Sequence, residues 1–259
     1  MKTKEDAKNI YDNMFKQLLE LQINNGAINR INLRRAKKLE DFKNKDNQLF
    51  EMVAINLFSA GMKSRIVDNK WPAIKRAFYD FDVEIVSKFG DKEIDELLNN
   101  ASIIRHPQKI NSTIYNAKII RKLQHVYGSF YNYLNSSKDL VSLSKDIIKR
   151  FKYIGKEVVW DFLGTIGFEA IKPDVHVRRI LHRIGFISSH VESDSVYREV
   201  FDAANLLSEV SGERLRVIDA LIWYYGADRP DEIKKVICAK KPLCHECYIS
   251  EYCDYYNNR

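Results

Sequence analysis

Glycine and proline are scarce in this chain of 259 residues, at 10 and 5 respectively. Such scarcity excludes a collagen-like or low-complexity chain and suits long helices joined by short turns. No run of 18 or more apolar residues occurs, so no segment reads as a membrane-spanning helix. The opening stretch MKTKEDAKNIYDNMFKQLLE is charged and has no apolar core of the kind a signal peptide needs, which predicts a cytoplasmic protein. Alternating apolar–polar patterns that would mark strands are also few. Cysteine is missing from the first 237 residues; all four cysteines fall in the last 22. That placement excludes a disulfide framework spread through a small secreted fold and points to a metal or cluster site.

Apolar residues make up 45% and charged residues 30%, the composition of a globular chain long enough for one large domain or two helical lobes. The formal net charge of +7 favours an anionic partner, most commonly nucleic acid, although many soluble proteins are equally basic. Apolar residues recur at helical spacing almost throughout. Ile10, Met14, Leu18 and Leu19 share one face, and residues 47–60 form a nearly all-apolar helix expected to be buried. The fold class predicted is all-α with about ten helices, its longest loops near Asn135–Leu143 and Ser188–Ser195.

The cysteines stand as Cys238, Cys244, Cys247 and Cys253, a C-x5-C-x2-C-x5-C pattern within 16 residues. Thiolates are soft ligands that suit iron–sulfur clusters or zinc. Structural zinc sites usually pair two C-x2-C knuckles across a longer spacer, whereas here a single C-x2-C is flanked by one cysteine on each side, a spacing suited to wrapping one compact 4Fe–4S cluster. Zinc is the alternative cofactor. His245, between ligands, reads as a solvent-facing residue.

Upstream, Ile154-Gly155 separates two apolar-periodic segments, so a helical hairpin is expected there. Gly155 fits a tight turn in which a side chain would obstruct close approach. Backbone N–H groups at such a turn, and at the N-terminus of the following helix, can bind a DNA phosphate. Pro173-Asp174 follows 19 positions after Gly155 and opens the helix VHVRRILHRIG. Taken alone, Asp174 is a helix N-cap; that role is compatible with a catalytic one, because a cap is fixed in position.

Together these motifs resemble the helix-hairpin-helix DNA glycosylase superfamily, in which a catalytic aspartate sits in a Val/Pro-Asp-x-His motif ahead of a helix carrying an arginine. Asp174 and His176 match that motif, and Arg178 or Arg179 fits the helix. The cysteine loop is similar to the 4Fe–4S loop of endonuclease III, with one residue fewer between its first two cysteines; Lys240 and Lys241 match basic residues that contact phosphates in that family. Residues 47 onward also resemble 3-methyladenine DNA glycosylase I. There a glutamate and an aromatic shape the alkyl-base pocket, and Asn56 and Ser64 stand at the matching positions. The resemblance divides the chain into N-terminal helices packing with the C-terminal lobe (1–46), a central helical domain with the hairpin (47–165), a C-terminal lobe carrying the aspartate (166–237) and the cluster loop (238–259).

The resemblance implies removal of a damaged or mismatched base from double-stranded DNA by a monomeric enzyme of base excision repair. Such enzymes flip the nucleotide out of the stack, and one carboxylate stabilises the positive charge that develops on the sugar. Expected DNA-binding residues are Ile154, Gly155 and Lys156 at the hairpin, Met62 and Lys63 or Ile104, Arg105 and His106 as wedge residues, and Lys240 and Lys241. His106-Pro107 reads equally as a helix start. Asn56 and Trp160 are candidates for the base pocket, although a tryptophan in a helical protein is more often core. A bifunctional member would add a lysine near the hairpin. Counted from Gly155 that position is Glu157, and counted back from Asp174 it is Lys156, so Lys156 is catalytic only in a lyase. The glycine anchor favours a monofunctional hydrolase. Competing readings are a bifunctional glycosylase and abasic-site lyase, a non-catalytic DNA-damage binder, and a zinc-bound helical adaptor.

Overall fold

In the computed structural model the described residues are 2–227 and 232–258, with the side chain of Ser64 outside the described set. Among them the only β pairing is an isolated bridge between Gln22 and Ile233. Fourteen α-helices and four short 3-10 helices are present, more than the ten expected from periodicity, partly because segments of four to six residues are too short to show a helical repeat. The chain divides into two units, one joining residues 1–37 to 169–259 and the other spanning 38–168.

The discontinuous unit begins with α1 (Lys4–Leu21) and α2 (Gly26–Ala36). Thr3 starts α1 with a capping box: Asp6 N–H donates to the Thr3 hydroxyl at 3.1 Å and Thr3 N–H donates to the Asp6 carboxylate at 2.9 Å. Ala7, Ile10, Met14 and Leu18 of α1 are buried.

In the 38–168 unit, α3 (Asp46–Ser59), α4 (Ser64–Ala77), α5 (Val83–Val86), α6 (Asp91–Asn99) and α7 (Pro107–Tyr127) are followed by α8 (Phe130–Asn135), α9 (Leu140–Arg150) and α10 (Lys156–Thr165). Helix α3 is buried as its all-apolar sequence predicts, and it packs on α4, α7 and α10. An aromatic cluster fills the space beside it; Trp71 and Phe81 stack at 5.3 Å, and Phe78 and Phe81 at 5.6 Å. Gly167, at φ +105°, closes the unit's end: a Cβ there would lie 2.7 Å from the backbone of Lys38 and Leu39, so no side chain fits.

The chain then returns to the first unit with α11 (Val175–Ile184), α12 (Asp194–Ser211), α13 (Leu215–Gly226) and α14 (Asp254–Asn257). Helix α13 is buried along almost its whole length and contacts α1, α2, α11 and α12. Deleting a core side chain such as Ile218 to Ala would cost about 2–5 kcal/mol. The expected loop at 135–143 is shorter than its polar composition suggests, because Asp139 caps α9 by accepting from Ser142 N–H at 2.8 Å. Ser193 likewise caps α12, which leaves 185–193 irregular. No helix among the described residues is long and apolar enough to cross a membrane.

Candidate functional site

Asp174 is the N-cap of α11. One of its oxygens, Oδ1, accepts from the backbone N–H groups of His176 at 2.8 Å and Val177 at 3.0 Å. The side chain is only 7% exposed, and its second oxygen has no hydrogen bond among the described residues. The surrounding basic residues hold backbone. Arg178 is buried and donates to the Pro173 and His190 carbonyls, with Tyr197 beneath its guanidinium. Arg179 donates to the Gly226 carbonyl at 2.6 Å and lies 3.1 Å from His176 Nδ1. The motif therefore yields one anchored carboxylate oxygen and one unanchored, on a turn braced by two arginines.

The helical hairpin lies between α9 and α10. Gly155 is the N-cap of α10, but its backbone is ordinary extended chain (φ −89°, ψ −175°), and a Cβ would meet nothing within 4 Å. The expected reason for glycine, relief of a tight turn, is not met. The left-handed residue of the turn is Tyr153, at φ +62°, a conformation that costs a non-glycine residue about 1–2 kcal/mol. Ile154 is buried, whereas Lys156 is the exposed first residue of α10 and Glu157 follows half-buried. Trp160 and Asn56 are both buried on the packed helices α10 and α3. Asn56 donates through Nδ2 to the Met52 carbonyl at 2.7 Å.

Of the wedge candidates, Met62 is half-buried and Lys63 exposed in the turn after α3. Arg105 is exposed, but Ile104 is buried in the core at 8% exposure. His106 is the N-cap of α7, its Nδ1 accepting from Lys109 N–H at 3.4 Å. Ser64, matched above to the family's aromatic, has a side chain outside the described residues.

Cys238, Cys244, Cys247 and Cys253 line one cavity with Ile180, Ile184, Ile237, Ile249 and Tyr225. Burial pushes the Cys247 thiol up to about 12 and raises those of Cys238 and Cys253 as well. Among the described residues no group of three histidine, cysteine or carboxylate side chains is arranged to hold a single metal ion. Arg183 donates to Cys238 Sγ at 3.3 Å and to the Ala239 and Lys240 carbonyls at 2.7 and 3.1 Å, which fixes the backbone of the loop whose Lys240 and Lys241 side chains are exposed.

A family profile described as methyladenine glycosylase matches residues 41–142. Endonuclease III of Sulfolobus acidocaldarius is 29% identical over 83 residues, 32% of this chain and 31% of that protein, so the chain spans about a third of the curated relative it matches. Among solved structures, the 8-oxoguanine glycosylase/lyase of Methanocaldococcus jannaschii, in complex with DNA containing 8-oxoguanine, aligns over 88% of this chain and 99% of its own at 18% identity and a TM-score of 0.59. In fold, this chain is similar to that glycosylase. The 8-oxoguanine DNA glycosylase of Thermotoga maritima gives a similar likeness, with 83% of this chain and 96% of that one covered, 18% identity and a TM-score of 0.57. The profile match lies within the 38–168 unit and stops short of the hairpin, Asp174 and the cysteines.

Two residues that organise the fold carry no signal in the sequence. Lys109 is 1% exposed, and its ammonium donates to the carbonyls of Leu57 (3.0 Å), Phe58 (2.6 Å) and Ala60 (2.7 Å), closing the C-terminus of α3. Burial lowers it to about 8. Gln17, 3% exposed on α1, donates to the Glu246 carbonyl at 2.6 Å and accepts from Tyr248 N–H at 3.1 Å and from the Tyr225 hydroxyl, tying α1 to the cysteine loop. A lone lysine or glutamine carries no local signal of this kind.

Proposed function

We propose that this protein is a DNA N-glycosylase of base excision repair that releases a damaged or mismatched base from duplex DNA. The observation that carries this reading is Asp174: an inward-held carboxylate with one oxygen fixed by two backbone N–H groups and the other without a hydrogen bond among the described residues, in a chain with the helix-hairpin-helix glycosylase fold. Cleavage of the N-glycosidic bond develops positive charge on the sugar. A fixed carboxylate stabilises that charge without reorganising, and its unanchored oxygen orients the attacking water. Arg178 and Arg179 hold the turn rather than the substrate. The exposed ends of the hairpin, Gly155 and Lys156, take a backbone phosphate, with Met62, Lys63, Arg105, Lys240 and Lys241 as further contacts. Asn56 and Trp160 face the flipped base, and the neutral Asn56 in place of a glutamate argues against 3-methyladenine as the substrate.

The four cysteines hold a 4Fe–4S cluster. What supports this is their donor chemistry and their shared cavity, where burial raises the Cys238, Cys247 and Cys253 thiols so that they stay uncharged until a cation joins them. When bound, the cluster acts as a structural clip for residues 238–253. Base release acts through Asp174 alone, as in a monofunctional hydrolase. The test is a panel of single-lesion duplexes (uracil, alkylated purines, oxidised bases and mismatches) with wild type and Asp174→Asn, with and without borohydride. Base release by wild type only, with no trapped adduct, is expected. A borohydride-trapped adduct lost in Lys156→Ala would assign a lyase instead, and no release from any duplex would leave a DNA-damage binder.

A further inference from the structure

An open groove runs between the first turns of α7 and residues 152–153, three positions ahead of Gly155; it is lined by Pro107, Gln108, Asn111, Ser112, Lys152 and Tyr153. No carboxylate lines it. Its far wall is held rigidly to α7: Lys152 N–H donates to Asn116 Oδ1 at 2.8 Å, and Asn116 Nδ2 donates back to the Lys152 carbonyl at 3.0 Å, with Asn116 wholly buried. Tyr153, in its left-handed conformation, completes this wall, and its ring meets His106 edge-on at 6.0 Å. The Lys152 ammonium lies over the Tyr115 ring at 4.3 Å. Asn111 is committed to its own helix, donating to the Pro107 carbonyl at 3.0 Å.

Ser112 distinguishes this groove from an ordinary helix start. It is only 6% exposed, it lines the groove, and it makes no hydrogen bond among the described residues. Neighbouring Thr113 shows the usual alternative, its hydroxyl donating to the Lys109 carbonyl at 2.9 Å. The Ser112 hydroxyl is thus left to a partner that enters the groove. It lies in the second turn of a helix of 21 residues, in a groove shared with a lysine and a primary amide.

We propose that this groove is a second DNA phosphate site, in which Ser112, Gln108 and Lys152 donate to one backbone phosphodiester next to the phosphate taken at Gly155. The inference rests on the glycosylase reading above. It assigns Ser112 and Gln108, which no resemblance singles out, to ligand binding.

The experiment uses the full chain with Ser112→Ala, Gln108→Glu and Lys152→Gln. Each is measured by thermal melting, by duplex affinity at several salt concentrations, and by backbone-amide NMR during titration with inorganic phosphate. Ser112→Ala should melt no lower than wild type, because its hydroxyl has no intramolecular partner, yet bind duplex about tenfold more weakly. Lys152→Gln should make the salt slope shallower by about 0.9. Phosphate should shift the amides of residues 108–112 in wild type and not in Gln108→Glu. Unchanged duplex binding in all three variants overturns the proposal, and if phosphate still shifts those amides the groove is an anion site of another source. A Ser112→Ala variant that melts lower while binding normally also overturns it, since Ser112 is then structural. Wild type that binds no duplex at all removes the glycosylase reading and this site with it, an outcome distinct from normal wild-type binding with insensitive variants.

Discussion

Helices α10 and α11 begin in opposite ways. At α11 the chain places a carboxylate, Asp174, whose Oδ1 closes two of the N–H groups the first turn leaves unpaired. At α10 the N-cap is Gly155, which supplies no side-chain cap and around which a Cβ would find open space. The first terminus is closed against anions by its own negative charge, with the second carboxylate oxygen left without a hydrogen bond among the described residues. The second keeps its positive end accessible to an acceptor from outside the chain. The same helix-end physics thus closes one terminus with the chain's own carboxylate and leaves the other without a side-chain cap.

The largest expected effect falls on α11. Asp174→Asn keeps an oxygen that can cap the helix, so thermal stability should shift by no more than about 1 kcal/mol. Single-turnover base release should drop by a factor of about 10²–10³ or more while duplex binding persists. Wild-type turnover in this variant would reduce Asp174 to a cap and erase the contrast between the two termini.

Next in size is Lys109→Met, which removes the ammonium that closes α3 and lies 5.4 Å from the Tyr153 ring at the hairpin. Each carbonyl left without a donor costs about 1–3 kcal/mol where water cannot reach it. Urea denaturation should show a loss of several kcal/mol, and a loss below about 0.5 would mean that water replaces the lysine. Gly155 gives a smaller effect that separates strain from contact. Because Gly155 is extended and unobstructed, Gly155→Ala should leave the melting midpoint nearly unchanged while weakening duplex binding. A lowered midpoint with normal binding would return Gly155 to a purely structural role.

The last effect is a pH dependence. Lys109 in the folded chain titrates at about 8, below its ordinary value of 10.5, because burial disfavours the charged form. Between those values the unfolded chain holds the proton that the folded chain has lost, so stability rises with pH across that window. The gain is complete above 10.5 and lost as pH falls through 8. Lys109→Met should flatten this part of the curve of stability against pH, and an identical slope in the variant would assign it to other groups.

Much of the candidate site was legible because its signals are short-range. Asp174 announces itself by standing one residue after a proline and at the head of an apolar-periodic helix, and the cysteines by their spacing. The turn at Gly155 was located correctly for the wrong reason. Glycine there suggested a turn too tight for a side chain, but Gly155 is extended and unobstructed, and the left-handed residue is Tyr153, in contact with His106 and Lys109 more than forty residues earlier. Ile104, a candidate wedge residue, lies in the core beside Ile103.

The sequence by itself determined the all-helical class, through a 3.6-residue apolar period and few glycines or prolines, and it determined which residues begin helices, because a cap bonds only three or so positions away. Only the tertiary structure decided which polar residues become buried organisers. Lys109 meets carbonyls 49 to 52 positions away, and Gln17 meets the cysteine loop 229 positions away. It also decided that Ser112, mostly buried, lines a groove with its hydroxyl unspent. The physical reason is one of range: helix propensity and capping act within a few residues, whereas the cost of burying a charge or a hydroxyl depends on what the rest of the chain brings to it.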